Sequence, residues 1–405
     1  MRFHNNHSRA LTCAIGVLLC QTVLADSVEK HADVLEEENQ VYWSRLLGGI
    51  QSMAPSTAPT VPNRPLQLSL APSDAPVVAS PSPTTGADPT RPPVTITMER
   101  QYFVVSTEPL EENSMASSEI TLFIPKWDGD IASAPNDVVC FVGESYMLET
   151  NLTSFLLDGG DCTSTNGCGV HVHSGYDCNG TESQGGHWYN DTTLDSDPWT
   201  LVGYSATDED GYAQYATCVH TGFDLVTTPD LLDGRAFVVH ANDGSRVSCG
   251  TIESAGEDLE PTILEAATLP IPGASATVEG FVNVMEEVQP MIDAVCYQGY
   301  ATGLEPNVES FLLETGSSQC NVTNGCGSHI HAGTGCATTE EQLGHFYDPE
   351  VVPVDPWLLE SYHTTDDAGT GAFVGCVITG DEDYFGRAFI VHGTDGSRLS
   401  CGTIG

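Results

Sequence analysis

GCGVHVHSG at 167–175 returns as GCGSHIHAG at 325–333. Further pieces follow each copy in the same order. GGHWYN at 185–190 is answered by LGHFYD at 343–348, and GRAFVVHANDGSRVSCGTI at 234–252 by GRAFIVHGTDGSRLSCGTIG at 386–405. From Cys162 to Cys218 each cysteine and patterned histidine recurs 158 residues on, and from Arg235 onward the offset is 152. The second copy therefore has a shorter loop between Cys376 and Gly386. A fixed period of this kind marks two tandem copies of one folding unit.

The pattern collects eight of the chain's 13 histidines. His171 and His173 alternate on a strand, so both rings leave one face. His187 comes from the loop that follows, and His240 ends the strand FVVH. The second copy supplies His329, His331, His345 and His392 in the same roles. Four imidazoles at repeated positions form the ligand set of a transition-metal site. Imidazole nitrogen suits copper in both redox states, and also zinc. No cysteine falls where it would join the set, so a thiolate site is not expected. Arg246 and Arg398 each stand six residues after the fourth histidine, and an Arg beside such a site suits an anionic substrate. His31, His220 and His363 stand outside the pattern and are read as structural.

Outward from these motifs the texture is all-β. VTITMERQYFVVS, ITLFIPKW, DVVCFV, YAQYATCV and GRAFVVH are short β-branched and aromatic runs between Gly, Asp, Asn and Ser clusters. Before them the chain is different. Residues 1–25 read as a signal peptide, with Arg2 and Arg9, an apolar run from Leu11 to Leu24 and a small-residue cleavage site. Residues 26–53 carry apolar positions at helical spacing and read as a short amphipathic helix. Residues 54–93, rich in Pro, Ser and Thr, read as a disordered extended linker. The repeats then occupy 94–252 and 265–405, joined by an acidic stretch at 253–264. No later run is apolar enough to cross a bilayer, and no C-terminal anchor tail is expected.

Net charge is −44. With no basic patch to neutralise phosphates, nucleic acid is not an expected partner. Beyond Trp127 the only Lys or Arg residues are Arg235, Arg246, Arg387 and Arg398. Arg235 and Arg387 are read as braces of a strand end. Cys13 and Cys20 fall in the signal segment, and the other twelve cysteines divide six and six between the copies. An even, repeated set in a secreted chain is a disulfide framework, with 15 pairings open in each copy. Sequons at Asn151, Asn179, Asn190 and Asn321 suit N-glycosylation.

In this order, G-x-H-x-H, the Gly-His of the loop, GRA-F-x-VH and GSR-x-x-CG resemble the copper/zinc superoxide dismutases. The resemblance covers each repeat. It implies two tandem eight-stranded Greek-key β-barrels, with one copper per domain held by His171, His173, His187 and His240, and by His329, His331, His345 and His392. It implies that Arg246 and Arg398 dock superoxide. It also implies that His187 and His345 release the reduced metal and carry a proton during turnover. Cys178–Cys249 and Cys336–Cys401 match the family's disulfide. In such a barrel Cys140 and Cys218 lie on neighbouring strands, while Cys162 and Cys168 flank a short loop. The further pairs expected are thus Cys140–Cys218 and Cys162–Cys168, with Cys296–Cys376 and Cys320–Cys326.

Two departures point to the copper-only branch. Trp188 to Gly211 holds no histidine, and Leu201 stands where the family's zinc-binding Asp would fall. Five residues, Ala241 to Ser245, replace the long charged loop before Arg246. Copper without zinc is expected. Asp197 and Asp355, each in a DPW triplet, are then the groups to orient the third histidine. The function expected is a secreted superoxide dismutase. The alternative is an extracellular copper-binding or matrix scaffold protein, since the acidic body and Pro-rich stretch suit a matrix or cell wall.

Overall fold

Each copy of the repeat builds one antiparallel, barrel-like sheet. In the first, the strands are β1 (Thr97–Pro109), β2 (Ser117–Asp128), β3 (Val138–Tyr146), β4 (Val170–Val172), β5 (Ala213–His220), β6 (Ala236–His240), β7 (Arg246–Thr251) and the short β8 (Glu253–Ser254). In the second they are β9 (Thr262–Pro270), β10 (Glu279–Glu286), β11 (Ala294–Thr302), β12 (Ser328–His331), β13 (Gly371–Ile378), β14 (Ala388–His392) and β15 (Arg398–Thr403). The order across the first sheet is β4-β6-β7-β1-β2-β3-β5, with β8 paired to β1. Across the second it is β12-β14-β15-β9-β10-β11-β13. Strand for strand this is the same path, so the repeat in sequence is a repeat in topology.

The computed structural model describes residues 97–405 apart from 111–114, 129–130, 132, 154–159, 256–260, 287, 289–291, 309–318, 321, 363 and 382. The signal segment, amphipathic helix and linker expected over 1–93 lie outside the described residues, as do His363 and Asn321. Both sheets belong to one compact unit.

The first strand of each sheet does two jobs. β1 pairs with β2 from Thr97 to Thr107, then with β7 at Glu108 and Pro109. β9 repeats this, pairing with β10 and then, at Leu269 and Pro270, with β15. A strand that changes partner along its length curls the sheet round a core. Inside the first barrel, Phe141 packs edge-on to Phe237 with ring centres 5.5 Å apart and lies nearly parallel to Trp199. Tyr297, Phe389 and Trp357 repeat the arrangement in the second. Each such fully buried side chain contributes about 1.5–3 kcal/mol.

Eight strands per barrel are expected, but among the described residues the second sheet has seven, and the first reaches eight only through β8. Between the third histidine and the strand that follows it, the described residues form only isolated bridges, Gly169 with Gly203, Gly327 with Ser361 and Thr365 with Gly371. Just before Gly203 and Ser361, Pro198 and Pro356 open 3₁₀ turns. Proline offers no amide to a ladder and fixes φ, so the chain coils there instead of extending.

The barrels share an apolar seam. Phe123, Val138 and Val142 of the first meet Met285, Val374 and Ile292 of the second. At its margin the Trp127 indole donates to the Gly299 carbonyl at 3.3 Å, and Gln298 Nε2 donates to the Lys126 carbonyl at 2.8 Å.

Candidate metal centre

Strand pairing positions each histidine before any metal is considered. His173 N–H donates to the Ala236 carbonyl at 2.7 Å, and His240 N–H to the Gly169 carbonyl at 2.8 Å, fastening the end of β4 to β6. The β6–β7 register shifts between Val239 and His240, and the β14–β15 register shifts between Val391 and His392. A bulge there re-aims the side chain that follows. His187 is brought in by a single bridge to His173, and His345 by a bridge to His331.

The structure gathers the eight histidines into two quartets. Within each, one ring nitrogen per residue lies within 4.8 Å of the other three. The outward nitrogens are all engaged. In the first quartet His171 Nε2 donates to the Val202 carbonyl (3.0 Å), His173 Nδ1 to the Gly185 carbonyl (3.0 Å), His240 Nδ1 to the Gly244 carbonyl (2.9 Å) and His187 Nδ1 to Asp197 Oδ2 (2.6 Å). In the second, His329 Nε2 donates to the Glu360 carbonyl (2.8 Å), His331 Nδ1 to Leu343 (3.0 Å), His392 Nδ1 to Gly396 (2.9 Å) and His345 Nδ1 to Asp355 Oδ2 (2.7 Å). These partners fix each tautomer and leave the inward nitrogens as bare lone pairs. His171 Nδ1, His187 Nε2, His329 Nδ1, His331 Nε2, His345 Nε2 and His392 Nε2 are buried without any hydrogen-bond partner. Two more, His173 Nε2 and His240 Nε2, face each other at 3.4 Å. Buried polar atoms are rarely orphaned, and four converging lone pairs are what a cation needs. The donor set fits a nitrogen-loving transition metal.

Electrostatics agree. Burial holds His171 and His329 well below the ordinary imidazole range, and neighbouring imidazoles push the same way. Burial likewise lowers His173 to about 3, His240 to about 4, His331 to about 2 and His392 to about 3. At neutral pH these rings are uncharged, each with a lone pair on its inward nitrogen and its one proton on the outward nitrogen. Beneath the second quartet, burial lifts the Glu360 carboxyl to about 8, against the hydrogen bond it accepts from Tyr297.

A guanidinium sits beside each quartet. Arg246 Nη2 donates to the Gly185 carbonyl at 2.7 Å, the same oxygen that holds His173, and Nη1 donates to Gln184 Oε1 at 2.7 Å. Arg398 does the same with the Leu343 carbonyl (2.7 Å) and Gln342 Oε1 (2.8 Å). Gln184 and Gln342 are buried at the ends of one-turn helices, Thr181–Gln184 and Thr339–Gln342. Both Arg side chains are half-buried. Their charge depresses the nearest rings further, Arg246 acting on His173 and His240, and Arg398 on His331 and His392.

Arg235 and Arg387 go elsewhere. Arg235 donates to the Ser174 carbonyl at 2.8 Å and lies over the Trp188 ring at 4.5 Å. Arg387 donates to the Ala332 carbonyl at 2.6 Å and lies over Phe346 at 4.8 Å. Each ties the residue after the His-x-His to the start of the strand that carries the fourth histidine. His220 pairs with Asp137 at 2.8 Å, away from both quartets.

Among the described residues there are six disulfides: Cys140–Cys218, Cys162–Cys168, Cys178–Cys249, Cys296–Cys376, Cys320–Cys326 and Cys336–Cys401. Cys178–Cys249 and Cys336–Cys401 tie the loop carrying the third histidine to β7 and β15. Cys140 and Cys376 lie close to Cys218, but all three are spent in disulfides and are not ligands. Asn151 and Asn179 are exposed, whereas Asn190 is half-buried and its Nδ2 donates to the Gly222 carbonyl.

Sequence reasoning missed Gln184 and Gln342. The signal was available, since they recur at the same 158-residue offset as the histidines beside them. In comparisons with known proteins the chain matches no protein-family model and no curated protein.

Proposed function

We propose that the chain is a secreted copper-only superoxide dismutase with one centre in each of two Greek-key barrels. The observation that carries this reading is the shared carbonyl of Gly185 and of Leu343, which binds a ligand histidine and a guanidinium at once. A metal-storage site has no use for a fixed cation beside it, whereas a site that receives an anion does. The strand order common to both sheets supports the barrel type. Six disulfides suit an oxidising, extracellular setting. Among the described residues no helix is long and apolar enough to cross a membrane.

Copper held by the four imidazoles would supply one-electron exchange, by which two superoxide anions and two protons would give O₂ and hydrogen peroxide. The chain's own residues do the rest. Arg246 and Arg398 hold the anion beside the quartet through planar N–H donors. Asp197 and Asp355 keep a proton on Nδ1 of His187 and His345, so Nε2 is the atom free to bind metal or to hold a proton for the product. Gln184 and Gln342 keep the guanidinium from swinging away.

The test combines metal content with turnover. Copper and zinc per chain are measured together with superoxide decay, for wild type and for Arg246→Ala/Arg398→Ala. Two coppers, no zinc and a variant that keeps its copper but loses most of its rate support the enzyme. Copper without dismutation leaves the second reading, an acidic extracellular copper-binding or scaffold protein, which the net charge of −44 favours.

A further inference from the structure

Because the barrels are copies, each is a control for the other, and at one place they differ in a concerted way. In the first barrel Val170 precedes the first histidine, the Val202 carbonyl accepts from its ring, and Phe141 pairs with Thr217 across neighbouring strands. The matching positions of the second barrel are, in turn, Ser328, Glu360, Tyr297 and Gly375. Phe to Tyr adds a hydroxyl, Val to Ser adds another, Val to Glu adds a carboxyl, and Thr to Gly removes a side chain. The four changes fit together in space. Tyr297 donates to Glu360 Oε2 at 2.9 Å and lies 3.3 Å from Ser328 Oγ. A Cβ on Gly375 would stand only 1.8 Å from Glu360 Oε2 and 2.5 Å from the Tyr297 hydroxyl, so glycine alone leaves room for the pair. The first barrel also has interior phenols, but Tyr215 points to Ser145 at 3.2 Å and Tyr204 donates to the His240 carbonyl at 3.0 Å, so neither meets a carboxyl.

Tyr297 and Ser328 are fully buried and Glu360 is half-buried, and buried polar groups cost free energy unless they are paired. A carboxyl, a phenol and the space for both are therefore a built feature. The feature bears on one ligand. The backbone carbonyl of Glu360 accepts from His329 Nε2 at 2.8 Å, and Ser328 is the residue before His329 in the chain. Groups behind a metal-bound imidazole tune the basicity and orientation of that ligand.

We infer that Tyr297 and Glu360 are positioning residues that act through His329 to make the second metal centre redox-inequivalent to the first. This rests on the copper reading above. One barrel would then differ from the other not in its ligands but in how readily its metal changes oxidation state.

The experiment is a potentiometric titration of the copper-loaded full chain, followed by the copper(II) EPR signal. His171→Ala/His173→Ala/His240→Ala dismantles the first quartet, so the copper that remains assigns the second midpoint. Wild type is expected to show two midpoints separated by at least a tenfold difference in the oxidised-to-reduced equilibrium, about 59 mV. Tyr297→Phe/Ser328→Val/Glu360→Val/Gly375→Thr installs the first barrel's own residues and is expected to merge the two. Tyr297→Phe alone, a smaller change that keeps the packing, should move only the second midpoint. Two coppers at one shared potential, or a graft that leaves the midpoints apart, overturn the inference and leave the proposed function standing. A chain that takes up no copper removes both.

Discussion

At the scale of single residues, the outward nitrogen of the third histidine is the most consequential atom. Asp197 Oδ2 accepts a hydrogen bond from His187 Nδ1, while its other oxygen accepts from Trp199 N at 3.0 Å. Asp197→Asn can keep the second bond but presents an amide N–H₂ to Nδ1. The ring must then carry its proton on Nε2, where the metal should bind. The first centre is expected to lose about 10–100-fold in metal affinity while the second, with Asp355 intact, keeps its own. Competition with a chelator would show one tight and one weak site, and two unchanged sites would refute the role of Asp197. Protons compete for the other rings too. His173, His240, His331 and His392 have folded pKa values of about 3, 4, 2 and 3, against 6.5 for a free imidazole. Below pH 6.5 the unfolded chain binds protons that the fold refuses, so the metal-free fold has its full stability above that pH. Stability should fall progressively as pH drops from about 6.5 towards about 3. The melting temperature of metal-free protein between pH 7 and pH 4 checks this, and a flat profile would contradict it.

At the scale of elements, the third histidine has little secondary structure to hold it. His187 meets the sheet through one bridge, and the short helix before it has a single turn. Covalent restraint replaces a ladder: Cys178–Cys249 closes a span of 71 residues and Cys336–Cys401 a span of 65. Removing such a bond typically costs about 2–5 kcal/mol. Cys178→Ser/Cys249→Ser should lower the urea midpoint and reduce copper retention at the first centre, read by denaturation and by metal content together. The histidines, the strands that carry them and the cysteine set could be read from the repeat, because alternation and fixed offsets survive in one dimension. The missing eighth strand could not, although Pro198 and Pro356 are visible: whether a proline ends a strand or replaces it depends on what the turn packs against. Gln184 and Gln342 escaped notice because a neutral side chain holding an Arg has no motif of its own. The seam of Phe123, Val142, Met285 and Val374 escaped for another reason. An interior face and a face covered by a second barrel have the same apolar alternation.

At the scale of the whole molecule, the proposed substrate and the protein repel each other. The chain carries −44, and beyond Trp127 its positive side chains number four, of which Arg235 and Arg387 are occupied as braces. Superoxide would therefore approach against a negative field, and the attractive charge beside each quartet, Arg246 or Arg398, would act only within the last few ångströms. These two effects differ in range, so salt separates them. Raising ionic strength from about 0.01 M to about 0.15 M shortens the screening length from about 30 Å to about 8 Å. That weakens the global repulsion strongly and a half-buried guanidinium at contact distance much less. Fields of this kind change association rates by tenfold or more, so the second-order rate should climb over that interval. In Arg246→Ala/Arg398→Ala the rate should be lower at every salt concentration and should still climb, since the body charge is untouched. Pulse radiolysis of superoxide across a salt series measures both slopes. A wild-type rate that falls with salt would mean that the two guanidiniums govern approach as well as docking, and that the acidic body is turned away from the path.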